Sequence, residues 1–367
     1  VDTYSLFIEQ AIRVCKARGI VSYIVPTGWY SGVRYSALRR FFICTTSPVV
    51  FINLPYDIFN AWVDTTIFVT SKRPTVLDWP PESKTQTHIL TFPKKYKIND
   101  ISDFDLVYQN ATIENWFENG QDEYLTYADD ITLSVMRKVE KFGQPLSKLA
   151  DIQRGITPYH LTEAPRSTTS KQAFNGTVRR YILDRGDTTY VQYDESIAEY
   201  KPPKYFIGTR LLLRELISRQ FRLQAVKATQ DFITNKSMQS ILKLPDAPDL
   251  NYLLGIINSK LTSWYFLKRS NIAQRDDFPK IVLKETRSLP IRTINFSDPA
   301  DMARHTRMVA LVERMLGLQR ELAAAQTPGE KTRLQRQVDA TDAQIDTLVY
   351  ELYGLTEEEI RIVEGKG

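Results

Sequence analysis

With 367 residues, the chain is long enough for two or three domains and a sizeable core. Its 43% hydrophobic and 25% charged residues are ordinary for globular proteins, and no apolar run approaches the ~20 residues that span a bilayer. Two cysteines in apolar contexts and three scattered histidines offer no disulfide framework or zinc-type cluster, so a cytoplasmic, metal-independent protein is expected.

The net charge of +5 conceals a polarity along the chain. Ile98 to Asp130 holds nine acidic residues and no Lys or Arg, whereas Lys201 to Ser240 holds eight basic residues against Glu215 and Asp231. A basic block of this kind suits phosphate binding, although a solvated face has the same composition. The acidic run is expected to face away from any nucleic acid, because it would repel phosphate. The chain opens on Val1 and enters a helix at once, and the expectation is a portion of something longer.

Tyr4, Phe7, Ile8, Ala11, Ile12 and Cys15 make one apolar helical stripe, stopped at Gly19. Ile20–Val25 reads as a strand buried on both faces and closed by Pro26. A short helix over Tyr35–Cys44 points Leu38, Phe41 and Phe42 inward and Arg34, Arg39 and Arg40 outward. Strands over Val49–Leu54 and Thr65–Thr70 follow, with a polar, aromatic-bearing loop between them. This order is the terminal part of a doubly wound sheet ending in an antiparallel pair, and it cannot close a domain alone.

The stretches Asp2–Ala11 and Gly19–Trp29, then Leu38-Arg39-Arg40-Phe41-Phe42 and Ile58-Phe59-Asn60-Ala61-Trp62-Val63-Asp64-Thr65-Thr66, carry a resemblance. Together they resemble, in order, the C-terminal portion of TaqI-like and type IIG (Eco57I-like) adenine-N6 DNA methyltransferases and restriction–modification enzymes. In that family this helix and strand follow the catalytic Asn-Pro-Pro-Tyr motif. Neither Pro-Pro pair here (Pro80-Pro81, Pro202-Pro203) lies in such a motif, and no glycine-rich strand–loop–helix is present to cradle a cofactor. The resemblance therefore implies that S-adenosylmethionine binding and methyl transfer belong to a missing N-terminal half. It also implies that Phe59 stacks on a flipped adenine, with Tyr56 and Trp62 as lesser pocket walls. Stacking would return part of what an extruded base loses. Read without the resemblance, Phe59 is a loop aromatic folded onto its own domain.

After Lys72-Arg73-Pro74 the sequence reads as a spacer, with modest amphipathic pieces at Asn110–Asn119 and Ala128–Phe142. Asp78 with Glu82-Ser83-Lys84 mimics a nuclease metal site, but Pro80-Pro81 opposes the strand that would present it. From Leu146 to Pro158 the chain resembles the opening of the family's target-recognition domain and of type I specificity subunits, with a turn at Gly155 beside Arg154. Arg179 and Arg180 lie in the next family-like stretch, which also reads as a strand and turn with outward arginines. Tyr205–Arg214 and Leu223–Ala228 read as strands, Gln230–Met238 as a polar loop bearing Asn235 and Lys236, and Asn251–Arg269 as a helix.

Arg and Lys to guanine, and Asn and Gln to adenine, are the side chains that read duplex DNA. The DNA-contact candidates are Arg154, Arg179, Arg180, Arg210, Arg214, Arg222, Lys227, Asn235, Lys236, Lys260, Lys268, Arg269 and Arg275. Of these, Arg210, Arg214, Arg222, Lys227, Lys236, Lys268, Arg269 and Arg275 are taken as phosphate contacts.

Met308, Leu311, Met315, Leu318 and Leu322, then Leu334, Val338, Thr341, Ile345, Leu348 and Leu352, repeat at heptad spacing. Thr327-Pro328-Gly329-Glu330 reads as a capping box with Pro at the first helical position of the second helix, and Thr356 with Glu359 caps a last short one. An antiparallel hairpin results, serving as structural support or as a dimerising coiled coil. The expected fold is thus α/β plus α: the end of a methyltransferase sheet (1–75), a spacer (76–144), a mixed α/β target-recognition domain (145–297) and a helical hairpin with its cap (298–367). The expected function is sequence-specific binding of double-stranded DNA, with methylation only alongside the N-terminal half. The alternative is a non-catalytic specificity subunit that docks a separate methylase.

Overall fold

The computed structural model describes every residue except 1, 56–57, 60–62, 83, 93–95, 101, 104–107, 118–121, 271–278 and 366–367. The chain divides into two units: Val1–Arg137 with Lys268–Pro279, and Lys138–Leu267 with Lys280–Gly367.

The first unit starts with α1 (Thr3–Val14), whose Ile8 and Ile12 are buried while Leu6, Phe7 and Val14 stay exposed. The left-handed turn after α1 is taken by Arg18, at φ 64°. Gly19 is needed for close approach instead, since a Cβ there would lie 2.5 Å from Cys15 Sγ. β1 (Ile20–Pro26), α2 (Ser36–Thr45), β2 (Thr46–Asn53) and β3 (Thr65–Lys72) follow, then β4 (Gln86–Thr91) and β5 (Tyr108–Thr112). The five strands form one sheet in the order β1-β3-β2-β4-β5. β3 runs antiparallel to both of its neighbours, and β4 runs parallel to β2. Part of the segment read as a spacer therefore supplies two strands to this sheet.

β1 departs from expectation. It is the edge strand, and Ile20, Tyr23 and Ile24 are exposed, so it is not buried on both faces. The core is aromatic: Trp29, Phe42, Phe51, Phe68 and Tyr124 are buried, with the rings of Trp29–Phe42, Trp29–Tyr124 and Phe42–Phe68 each 5.2 Å apart. Arg39 was expected outside and is instead 2% exposed. Its guanidinium donates to the carbonyls of Trp29, Gly32 and Asp122 and to the Asp122 carboxylate at 2.7 Å. A buried guanidinium requires this full set of acceptors. Burial pushes the Asp122 carboxyl up, but Arg39, Ser36 and Arg40 outweigh it and hold the group below its usual range. The acidic run thus contributes an internal partner as well as outward charge.

α3 (Asp130–Phe142) leads into the second unit. There β6 (Gly143–Pro145), β7 (Ala150–Arg154), β8 (Ser170–Ala173), β9 (Gly176–Arg179), β10 (Ile182–Arg185), β11 (Thr189–Gln192), β12 (Arg210–Arg214), β13 (Ala225–Ala228) and β14 (Met238–Lys243) precede a largely helical end. β13-β12-β14-β7 is a four-stranded antiparallel sheet, and β8 with β11 and β9 with β10 form separate pairs. Leu211, Leu212 and Leu213 of central β12 are all fully buried, as a strand covered on both faces must be.

The helix expected over Asn251–Arg269 is two, α4 (Leu250–Asn258) and α5 (Lys260–Arg269), broken at Ser259. Asn258 is turned to the sheet, where its side-chain amide bonds both the N–H and the carbonyl of Ala225 at 2.9 Å. α6 (Leu283–Ser288) and β15 (Pro290–Arg292), which pairs with β6, are followed by α7 (Pro299–Ala324), α8 (Pro328–Leu352) and α9 (Glu357–Val363). Met308, Met315 and Leu318 of α7 and Leu334, Val338, Ile345 and Leu348 of α8 are buried in the expected hairpin. At Thr327 only half of the expected box forms, its hydroxyl accepting from the Glu330 N–H, whereas Thr356 with Glu359 forms the full capping box. No helix of the described residues is long and apolar enough to cross a membrane.

Candidate nucleic-acid interface

The basic candidates in the second unit separate into those held internally and those that reach a concave surface. Arg210 is fully buried, donating to the carbonyls of Gly208 and Gln230 at 2.8 and 3.0 Å and lying over the Phe232 ring. Burial pulls its guanidinium down to about 10, which leaves it charged but out of reach of phosphate. Arg222 donates to the Asn258 carbonyl at 2.7 Å and lies 3.6 Å from Asp346. Arg180 pairs with Asp342 and also bonds the Asn258 carbonyl. The Lys260 N–H bonds Asp346 at 2.7 Å, and its ammonium lies 3.3 Å from Glu364. Burial pushes the Asp346 carboxyl up, against the pull of Arg222. Arg180 and Arg222 therefore clamp α8 to the β-rich part of the unit, and Lys260, at the start of α5, ties α8 and the end of α9 to that helix. Lys227 is half-buried on Asn251 at 3.1 Å.

In the first unit, Lys268 donates to the Tyr127 carbonyl, and burial lowers its pKa. Arg269 lies 3.4 Å from Glu123. Arg179 is exposed, 3.7 Å from Asp184 across its hairpin, and Arg214 is half-buried at the end of β12. Arg275, Tyr56 and Trp62 fall outside the described residues. Phe59 is exposed at 46% beside exposed Ile58, on the connection between β2 and β3.

What remains converges on one open cavity of about 400 Å³, lined by Gln153, Arg154, Lys201, Glu215, Lys236, Gln239 and Lys284 together with Val282 and Leu283. Strand register builds it: Arg154 on β7 and Leu213 on β12 both stand opposite Gln239 on β14. Directly opposed residues share a face, and Glu215, two residues beyond Leu213, continues that face. Arg154 donates to Glu199 at 2.8 Å, and Lys201 lies 4.0 Å from the same carboxylate.

The loop at Asn235 meets the cavity for a different reason than expected. The Asn235 side-chain oxygen accepts from the Ser237 N–H and hydroxyl, closing its own turn and leaving Lys236 exposed at the tip. Gly155 lets this loop pass: a Cβ there would stand 2.1 Å from the Thr234 carbonyl oxygen and 2.3 Å from that of Asn235. Lys201, Glu215, Gln239 and Lys284 were absent from the expected contacts. Lys201 lies in a loop and Lys284 in α6, and Glu215 and Gln239 join them only through the strand register, so no local pattern marks the four as a set.

Residues 171–291 match the TaqI-like C-terminal specificity domain, and residues 1–59 match the Eco57I restriction-modification methylase. A Methanocaldococcus jannaschii protein described as a type II restriction enzyme and methyltransferase is 28% identical over 299 residues. That alignment takes in 79% of this chain and 25% of the relative, so the chain spans about a quarter of that protein's length. The fold is similar to the type IIL restriction-modification enzyme MmeI, solved in complex with DNA, at a TM-score of 0.61 and 10% identity. The match covers 99% of this chain and 51% of that one.

Proposed function

We propose that this chain, which carries a TaqI-like C-terminal specificity domain and an Eco57I-methylase-like stretch, recognises duplex DNA as the C-terminal portion of an adenine-N6 methyltransferase or fused restriction–modification enzyme. The observation that carries the reading is the cation-lined cavity, most of whose walls lie within residues 171–291. Lys236 and Lys284 on this concave face, with Arg154 and Lys201 held on Glu199 beside them, supply positive charge that draws phosphate, and the strands beneath carry polar groups suited to base edges.

Methyl transfer is assigned to the complete enzyme. The reading places S-adenosylmethionine outside this chain, because its sequence has no glycine-rich strand–loop–helix to cradle the cofactor. The edge of β1 and the exposed Leu6, Phe7, Val14, Ile20, Tyr23 and Ile24 suit a sheet that continues into a catalytic half. A separate methylase subunit would suit the same edge. An in-frame Asn-Pro-Pro-Tyr encoded just upstream separates the two. Phe59, 46% exposed on the connection between β2 and β3, is the residue this reading assigns to stack on an extruded adenine.

Competition between a selected duplex and random duplexes tests recognition: preference for the selected site is expected, and equal affinity for both ends the reading. In the complete enzyme, Phe59→Ala should lower methylation by tenfold or more at nearly unchanged target affinity, measured by methyl incorporation and filter binding. Unchanged turnover removes the stacking role.

A further inference from the structure

The cavity holds a feature that phosphate binding does not account for. Arg154 and Lys201 already have the Glu199 carboxylate, and Glu215 puts a second one among them, Lys236 and Lys284, where it opposes the attraction of the cations for phosphate. Its position is fixed rather than incidental. The Glu215 N–H donates to the Ser237 carbonyl and its carbonyl accepts from the Ile281 N–H, both at 2.8 Å, so the backbone is held from two sides. Its side chain is half-buried and has no hydrogen-bond or ion-pair partner among the described residues. Beside it, Gln239 is 1% exposed. The Gln239 amide donates to the Ile281 carbonyl at 2.9 Å, which fixes the side chain and leaves its oxygen buried without a partner. Glu215 thus offers an open carboxylate inside the cationic rim, and the Gln239 amide, fixed on Ile281, packs behind it.

A half-buried carboxylate has lost part of its hydration, and a ligand that brings an N–H gives it a charge-assisted hydrogen bond in return. Of the groups a DNA duplex presents in its major groove, the exocyclic amines of cytosine and adenine donate, whereas thymine and guanine offer acceptors there. We propose that Glu215, with Gln239 behind it, selects an amino-bearing base at one position of the target, while Lys236 and Lys284 hold the neighbouring phosphate. Glu215 is then a specificity-determining residue, and the lysines position the duplex without reading it. This inference rests on the DNA-recognition reading above.

The test is selection from a pool of randomised duplexes by the chain and its variants, each checked for an unchanged melting curve. The native chain should enrich a motif with cytosine or adenine at one position. Glu215→Ala should relax that position alone, with discrimination falling by about tenfold, the scale of one good base contact. Glu215→Gln should move the preference at the same position and leave the others unchanged. Uniformly tighter binding of all duplexes by both variants would mean that the carboxylate only repels phosphate, and would overturn the proposal. An unaltered motif in both would overturn it equally. If the native chain enriches no motif, the DNA-recognition reading fails first and the inference falls with it.

Discussion

Arg222 and Lys236 both lie in the segment matched to the specificity domain, and by sequence both are basic residues of one block. The structure gives them opposite roles. Arg222 is enclosed with Asp346 and the Asn258 carbonyl, whereas Lys236 stands exposed at the rim of a cavity. What separates them is whether a carboxylate arrives from elsewhere in the chain. Asp342 and Asp346, on the hairpin, reach Arg180 and Arg222, whereas among the described residues no acidic side chain pairs with Lys236. Composition therefore overstates the surface available to DNA, since part of the basic block is internal structure.

The sharpest way to break this comparison is Arg222→Met. It should cost about 3–5 kcal/mol in denaturant unfolding, because Asp346 is left buried and undercompensated. A loss confined to DNA affinity, with stability intact, would move Arg222 into the interface. Gly155→Ala comes next. The added methyl meets two loop carbonyls, so a stability loss of about 1–3 kcal/mol is expected, together with weaker target preference as Lys236 is displaced. The smallest effect belongs to Lys236→Ala and Lys284→Ala. Melting should stay within about 0.5 kcal/mol of the native chain. Each should flatten the dependence of log affinity on log salt by about 0.9, as one phosphate contact is lost.

The regular parts of the fold were legible where one period ran long enough. The heptad pattern of Met308 to Leu352 and its caps at Thr327 and Thr356 needed no tertiary information. Arg39 could not be placed in the same way. Its partner, Asp122, lies 83 residues away, and nothing local distinguishes an inward arginine from an outward one. β1 read as fully buried because its apolar run is what a central strand shows, and only the sheet order reveals it as an edge. The cavity was the least legible feature. Arg154, Asn235 and Lys236 were visible as types, but the register that sets Arg154 against Gln239, and the glycine that admits the loop, belong to the assembled sheet.

The open strand Ile20–Pro26 has a consequence for the behaviour of the chain in a test tube. Ile20-Val21-Ser22-Tyr23-Ile24-Val25 carries no charge, is rich in β-branched residues, and leaves one backbone edge unpaired among the described strands. Such an edge templates any extended chain that meets it. Light scattering of the purified chain should therefore rise with concentration, and a charged residue at Ser22 or Ile24 should lower that rise.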